Sequence, residues 1–317
     1  MPAATMSSSR TSGPSVLVLV VGLGALLPAA AACGQVTGSF HRTLPVSGPV
    51  NLEVVTGSGD ITARTGPPGS VSVTARIQAS RGMVGGDPEE VVHAIEQKPP
   101  IRQDGSSIHL ERPAHDNVSI DYEIVVPPDT RLRAHTGSGD QRVHGLRRGI
   151  ELEAGSGDIE VEGVAGGLRA ETGSGNVRGT QVAAPVDVHT GSGEIHLGLV
   201  GPGFVRTNTG SGDVEIRGVV GGLAVETGSG EVVAEGVARA AWSLETSSGD
   251  VRLQLGAGTS YNLDVATGSG DITTARPVQM TVQGRVKDGG RDQLSGRVGS
   301  GGPMVKVRTG SGDVDIH

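Results

Sequence analysis

Apolar and polar residues alternate with a period of two along most of the chain. Small or apolar side chains stand at every second position before a recurring glycine motif, as at Leu168, Ala170 and Thr172. The alternation resumes after the motif, as at Ile159 and Val161. Such alternation over about five residues, bounded by glycine, is typical of a strand with one buried and one exposed face. The pattern therefore predicts short strands.

The glycine motif is Gly-Ser-Gly, once Ser-Ser-Gly, and it occurs ten times. It begins at Gly57, Gly137, Gly155, Gly173, Gly191, Gly210, Gly228, Ser247, Gly268 and Gly310. From Gly137 to Ser247 successive copies are 18 or 19 residues apart, which leaves no room for helical crossovers. An all-β, parallel β-solenoid is therefore predicted, with about 18 residues per coil and coils about 4.8 Å apart. Right-handed winding is expected, because parallel β crossovers prefer that hand.

Residues one repeat apart should stack on the outer face of such a solenoid. The position three residues before the strand-ending Thr is occupied in five successive coils by Arg133, Glu151, Arg169, Asp187 and Arg206. Their charges alternate in sign, and opposite charges on adjacent strands stabilise the pairing. We interpret this column as a determinant of coil register. The strand-ending Thr residues are expected to point inward and to bond the amides of the corner.

The spacing of the motifs also divides the chain. Residues 36–65 are predicted to form a first coil, residues 66–128 a small mixed α/β insertion that caps it, and residues 129–317 the repeats, with a loop and strand insertion at 275–308. In the capping insertion, Asp87 and Pro88 begin a short predicted helix whose apolar stripe includes Val91, Val92 and Ile95. The open edge of a solenoid must be covered to stay soluble.

Residues 1–33 are interpreted as a signal peptide. The apolar run from Ser15 to Leu27 is too short to span a bilayer. Cys33 is the single cysteine of the chain and follows three alanines, an arrangement that resembles a lipobox. Cys33 is therefore a candidate lipid-attachment residue of a membrane-anchored lipoprotein, and ordinary cleavage at the same small residues is the alternative. Either way, the protein is expected to be exported.

Composition weighs against several functions. Aromatic residues make up 2% of the chain and the net charge is −8, which disfavours nucleic-acid binding and aromatic sugar platforms. No cofactor or metal site is predicted. The histidines show no ligand spacing, and the repeated serines are interpreted as turn residues rather than nucleophiles.

Acidic residues follow the motif in nine of ten copies. The row reads Asp60, Asp140, Asp158, Asn176, Glu194, Asp213, Glu231, Asp250, Asp271 and Asp313. These side chains either extend into water and bond turn amides or bind calcium, as Gly/Asp repeats do in toxin-type β-rolls. A polysaccharide-active β-helix enzyme is a further alternative, although no acidic pair is singled out by the repetition.

Two segments carry a resemblance to a known family. They are Tyr122–Pro127 with Leu132–Asp140, where the repeats begin, and Gly296–Val314, where they close. Both are similar to the bacterial β-repeat family of unknown function that is labelled "putative adhesin". The resemblance implies a β-solenoid at the cell envelope and no reaction. The expected function is a structural or adhesive one, through an unknown envelope or surface partner, protein or glycan; an accessory sensor of an envelope system is the remaining alternative.

Overall fold

The computed structural model describes residues 35–80, 87–115, 117–280 and 292–317. The predicted signal peptide and Cys33 lie outside the described residues. The described residues contain one helix, α1 (Pro88–Gln97), and the strands β1 (Val36–Pro45), β2 (Val50–Ser58), β3 (Ile61–Thr65), β4 (Ser70–Ala79), β5 (Ile101–Asp104), β6 (Ser107–Leu110), β7 (Val118–Val126), β8 (Thr130–Ser138), β9 (Gln141–His144), β10 (Ile150–Ser156), β11 (Ile159–Glu162), β12 (Leu168–Ser174), β13 (Val177–Ala183), β14 (Val186–Ser192), β15 (Ile195–Val200), β16 (Pro202–Ser211), β17 (Val214–Ser229), β18 (Val232–Ser248), β19 (Val251–Leu255), β20 (Tyr261–Thr267), β21 (Ile272–Thr274), β22 (Gln279–Met280), β23 (Asp292–Val298), β24 (Met304–Ser311) and β25 (Val314–Ile316).

The repeats form coils that stack in parallel. β10 lies between β8 and β12, so that Leu152 is in register with Ala134 and Ala170. β11 lies in the same way between β9 and β13. Each coil thus has two sides, joined by the Gly-Ser-Gly turn, the first corner, and by a second corner that leads to the next coil. The predicted all-β parallel solenoid is confirmed.

Inward side chains fill a narrow core between the two sides of each coil. Burial alternates along β8, where Leu132 and Ala134 are buried and Arg133 is exposed. The largest buried side chains include Trp242 and Tyr261, both 1% exposed. The period of two in the sequence therefore reflects one face packed inside the solenoid and one face in solvent.

The second glycine of the motif is required by the close stacking of the coils. Gly139 has a φ of +143°, and a Cβ there would lie 2.2 Å from the carbonyl oxygen of Gly59 in the neighbouring coil. Any side chain at this position would both strain the backbone and push the coils apart. This steric limit explains why the same glycine recurs in every copy of the motif.

The N-terminal part of the chain covers the first coil. That coil consists of β2 and β3, which pair in parallel with β6 and β7 on their outer side. β1, which lies within the predicted first coil 36–65, instead pairs antiparallel with β4, and β4 pairs antiparallel with β7. The predicted helix is confirmed as α1: Asp87 accepts a hydrogen bond from the amide of Glu89, and α1 packs on β1 and β4.

The C-terminal coil does not take the last place in the stack. β24 pairs in parallel with β18 on one side and with β20 on the other. β25 likewise lies between β19 and β21. The expectation that each coil stacks on the one before it in sequence is therefore wrong at this end, where the final coil is inserted between two earlier ones.

The outermost coil at this end is formed by β20 and β21. Its edge is covered by β23, which pairs antiparallel with β20 from Tyr261 to Thr267. β23 and β22 come from the predicted insertion 275–308, of which residues 281–291 lie outside the described residues. An antiparallel strand therefore occupies the backbone hydrogen-bonding edge of β20 in the outermost coil, which protects that edge from pairing with another chain.

Candidate binding surface

Most members of the acidic row at the first corner make hydrogen bonds between neighbouring coils. The carboxylate of Asp158 accepts a hydrogen bond of 2.8 Å from the backbone amide of Asn176 in the next coil. The same contact recurs along the row at 2.8–3.0 Å, with acceptors Asp60, Asp140, Asn176, Asp213, Asp250 and Asp313. The shared feature of these acceptors is the short Asp or Asn side chain, which bonds a turn amide of the adjacent coil.

Glutamate does not make this contact in the described residues. Glu194 instead lies 3.0 Å from the imidazole of His196, and Glu231 pairs with Arg252. The additional methylene carries the Glu carboxylate past the neighbouring amide. The side-chain bonds to turn amides that the sequence suggested are thus present for the Asp and Asn members of the row.

The strand-ending threonines make a second row inside the corner. Thr172 donates a hydrogen bond of 3.2 Å to the carbonyl oxygen of Gly157, and Thr190 donates one of 3.1 Å to that of Gly175. The expectation that these hydroxyls bond corner amides was wrong, because the amides already pair with serine carbonyls, as Gly157 does with Ser174. The threonines satisfy the glycine carbonyls instead.

The predicted charge column is present on the outer face. Arg133, Glu151, Arg169, Asp187 and Arg206 are in register on successive coils. Arg133 lies 2.9 Å from Glu151, and Arg169 lies 3.2 Å from Asp187. The alternation continues at the N-terminal end, where Glu53 pairs with both Arg133 and His109 in register.

Several histidines extend this pattern of pairing. The inter-coil contacts between an imidazole and a carboxylate are His109–Glu53, His135–Glu153, His144–Glu162 and His196–Glu215, at 2.8–3.3 Å. All of these side chains are partly exposed. In the part of the chain that the structure describes, no group of three or more His, Cys, Asp or Glu side chains is arranged to hold a metal ion.

Two carboxylates near the inserted C-terminal coil have shifted pKa values. A hydrogen bond from Lys306, 2.6 Å away, lowers the pKa of Glu245. Burial raises the pKa of Asp264, but hydrogen bonds from Arg308 and Ser295 lower it by more, so that the net shift is downward. Both pairs hold the inserted coil to its neighbours, because Lys306 and Arg308 belong to β24.

A shallow groove of about 440 Å³ crosses the outer face of the coils at the beginning of β10, β12, β14 and β16. Its apolar floor includes Gly149, Gly167, Pro185 and Phe204, and its charged rim includes Arg131, Glu151, Arg169, Asp187 and Arg206. Four members of the charge column, Glu151, Arg169, Asp187 and Arg206, therefore form one wall of the groove.

Phe204 is the distinctive residue of this groove. It is 49% exposed, whereas the other four aromatic side chains, Phe40, Tyr122, Trp242 and Tyr261, are at most 5% exposed. Phe204 is in register with Gly222, and a Cβ on Gly222 would lie 2.7 Å from the Phe204 ring. The glycine thus makes room for the ring to lie along the surface.

The sequence analysis did not identify Phe204 as a candidate binding residue. A signal was present, because the position before the first inward residue of each coil is charged at Arg131 but reads Gly149, Gly167, Pro185, Phe204, Gly222 and Ala241 in the next six coils. No helix in the described residues is long and apolar enough to cross a bilayer.

Comparison with protein families decides the identity of the repeats. The family model Toastrack DUF4097, a domain of unknown function, matches residues 121–317, which is more than half of the chain. The chain belongs to the Toastrack DUF4097 family. The resemblance noted in the sequence is thereby confirmed. The match begins within β7 and includes the groove and the inserted C-terminal coil of this Toastrack protein.

Solved structures that match this chain include two bacterial proteins. One is a putative cell adhesion protein from Clostridium sporogenes ATCC 15579, with 11% identity, a TM-score of 0.26 and coverage of 88% of this chain and 99% of that chain. The other is a putative adhesin from Bacteroides fragilis NCTC 9343, with 12% identity, a TM-score of 0.33 and coverage of 88% of this chain and 97% of that chain. No curated protein matches the Toastrack chain.

Proposed function

We propose that this protein is an exported cell-envelope β-solenoid that binds an envelope partner through its outer strand face, with a structural or adhesive role and no catalysis. The observation that carries the proposal is the groove around Phe204. A half-exposed aromatic ring beside arginines has the composition of binding hot spots, which are enriched in aromatic residues and Arg. The other four aromatic side chains are buried in the core.

Contacts elsewhere on the outer surface support a role in presenting the groove to a partner. Asp158 and its equivalents bond the next coil, and Arg169 bonds its neighbours across the coils. Side chains fixed in this way hold the coils in register, so that the groove is carried on a rigid framework. A rigid, preorganised surface loses less conformational entropy on binding than a mobile one.

Capture from envelope fractions tests the proposal. The compact unit Gly34–His317, which contains every described strand, would be immobilised as wild type, as Phe204→Ser and as the control Val233→Ser. Val233 is partly exposed on the other side of a coil. Material retained by the wild type and the control but lost by Phe204→Ser supports the proposal, and equal retention by all three contradicts it. Release of reducing ends from a polysaccharide panel would contradict the absence of catalysis.

Export and anchoring are tested separately. Residues 1–33 have the pattern of a signal peptide, and Cys33 is the proposed lipid-attachment residue. Cys33→Ser should move the protein out of the membrane fraction of the producing cell without changing its folding. Unchanged fractionation of Cys33→Ser would rule out lipid attachment at this residue.

A further inference from the structure

The two corners of the solenoid differ in charge. The first corner carries the acidic row. The second corner includes residues 145–149, 163–167, 181–185, 201–203, 218–222, 236–241, 256–260 and 299–303, and the charged residues in these segments are Arg147, Arg148 and Arg239, all positive. Most of these residues are Gly, Ala, Val or Pro. We call this line of turns the second-corner edge.

Large apolar side chains are exposed along this edge. The described residues contain three exposed large hydrophobic side chains, Val200, Phe204 and Met304, at 45%, 49% and 46%. Val200 and Phe204 flank the turn 201–203, and Met304 follows the turn 299–303. Val305 is in register with Trp242, so Met304 occupies the same column as Ala241. Phe204 and Met304 therefore share one column, and Val200 lies across the corner from Phe204, so that all three side chains border the second corner.

Cations without a carboxylate partner accompany the edge. Arg147 and Arg148 lie in the turn before β10, and the backbone of Arg148 packs against Gly166 of the edge. Arg131 and Arg206 line the groove. In the described residues, none of these four guanidinium groups has a carboxylate within 4.0 Å, whereas Arg133 and Arg169 on the same face are paired. Four guanidinium groups without a close carboxylate thus border the apolar corner in a protein of net charge −8, while Glu151 and Asp187 of the same groove pair with Arg133 and Arg169.

We propose that the second-corner edge lies on the surface of an anionic bilayer, with Phe204 inserted at the boundary between headgroups and acyl chains. Aromatic and aliphatic side chains favour that depth, and neighbouring Arg residues are attracted by anionic headgroups. This inference rests on the proposed envelope function and names the partner of the Phe204 groove.

The geometry favours a bilayer over a folded protein partner. The exposed hydrophobic side chains border the turns of the second corner instead of clustering in one deep pocket, which suits a flat, deformable surface. Charge complementarity also fixes the orientation. Anionic lipid attracts the arginines and repels the acidic row at the first corner, so that the first corner faces away from the bilayer.

Vesicle binding of the unit Gly34–His317 tests the proposal. The probes are vesicles of phosphatidylglycerol with phosphatidylcholine in equal amounts, and vesicles of phosphatidylcholine alone. The triple variant Arg147→Gln, Arg148→Gln, Arg206→Gln should bind the anionic vesicles more weakly, by about fivefold for each arginine removed. The control Arg142→Gln, Arg178→Gln, Arg217→Gln removes the same charge from the other side of the coils and should bind as the wild type does.

Insertion of the ring is tested with Phe204→Trp. The native Trp242 is 1% exposed, so a brominated phosphatidylglycerol should quench the new indole and leave Trp242 unaffected. Quenching, together with charge-dependent binding, supports the proposal. Absence of vesicle binding, equal binding to neutral vesicles, or absence of quenching would overturn it.

A soluble polyanion separates the two proposals. If polyglutamate or alginate binds with the same dependence on the three arginines and Phe204→Trp is not quenched by vesicles, the partner is a soluble polyanion and the bilayer assignment fails. The proposed binding function then stands, because capture by the Phe204 groove would remain. If the wild-type unit neither captures envelope material nor binds vesicles, both the proposed function and the bilayer assignment fail.

Discussion

Val305 is in register with Trp242, although the whole coil from Tyr261 to Thr274 lies between them in the sequence. On its other side Val305 is in register with Leu263. The C-terminal coil therefore follows both of its neighbours in the sequence but lies between them in the stack. One consequence is that the hydrophobic core is closed only when the last residues of the chain are in place.

Removal of the C-terminal coil should therefore destabilise the protein severely. A chain ending at Pro303 loses Val305, Val307, Val314 and Ile316, each at most 1% exposed. Burial of one such side chain contributes about 1.5–3 kcal/mol, so the loss is comparable to a total stability of about 5–15 kcal/mol. Denaturant unfolding followed by circular dichroism should show a much lower midpoint. A midpoint equal to that of the wild type would mean that the coil is an appendage.

The repetition in the sequence predicts the coils but does not determine their order in the stack. Leu263 and Val305 occupy the same position in two alternating segments that lead into Thr-Gly-Ser-Gly-Asp, and each would fit beside Trp242. Membership of the stack is determined by this local pattern, whereas position in the stack depends on the segment that connects the coils. The period of 18 therefore predicted the fold and the charge column but not the insertion of the last coil.

The hydrogen bond from Asp158 to the next coil should be measurable. Asp158→Ala removes the acceptor for the amide of Asn176 and should lower the free energy of unfolding by about 1–3 kcal/mol. Asp158→Asn keeps an acceptor oxygen and should retain most of that stability, as the natural Asn176 does. Glu194→Ala is the matched control and should lower the free energy of unfolding only slightly.

Addition of a chelator should leave the melting temperature of the wild type unchanged, and a chelator-dependent decrease would show that the acidic row binds cations.

Reversal of one charge in the column should cost stability in a salt-dependent way. Arg169→Glu places a carboxylate beside Glu151 and Asp187, which are its neighbours in register. The expected loss is about 0.2–1 kcal/mol per lost pair, larger at low ionic strength. The double variant Arg169→Glu, Asp187→Arg should recover part of that loss. Additive effects of the two changes in a double-mutant cycle would contradict the coupling.

The acid dependence of stability should include a contribution from Asp264. Its pKa is lowered in the folded protein, so its contribution is present above the unfolded pKa of about 4 and is lost as the pH falls through the lower folded value. Asp264→Asn should therefore be less stable than the wild type near neutral pH, and the difference should shrink below pH ~4. Urea unfolding over this range measures the effect, and a constant difference would contradict it.

The binding surface was less predictable than the fold because it depends on a single residue. Phe204 stands in an otherwise ordinary repeat, and its exposure follows from Gly222, which lies beneath the ring in the next coil. The low aromatic content pointed away from a ring-based site. Only the alignment of successive coils shows that four of the five rings are buried and that the fifth is exposed at the second corner.

Disulfide trapping tests the order of the coils most directly, because the unit Gly34–His317 contains no native cysteine. Ser243 is in register with Lys306, and Lys306 is in register with Asp264. Cysteine pairs at 243 and 306, and at 306 and 264, should therefore oxidise readily, since adjacent strands lie about 4.8 Å apart. A pair at 243 and 264 spans two strand spacings and exceeds the reach of about 7 Å between Cα atoms. Efficient crosslinking of 243 to 264, without crosslinking of 243 to 306, would contradict the insertion of the final coil.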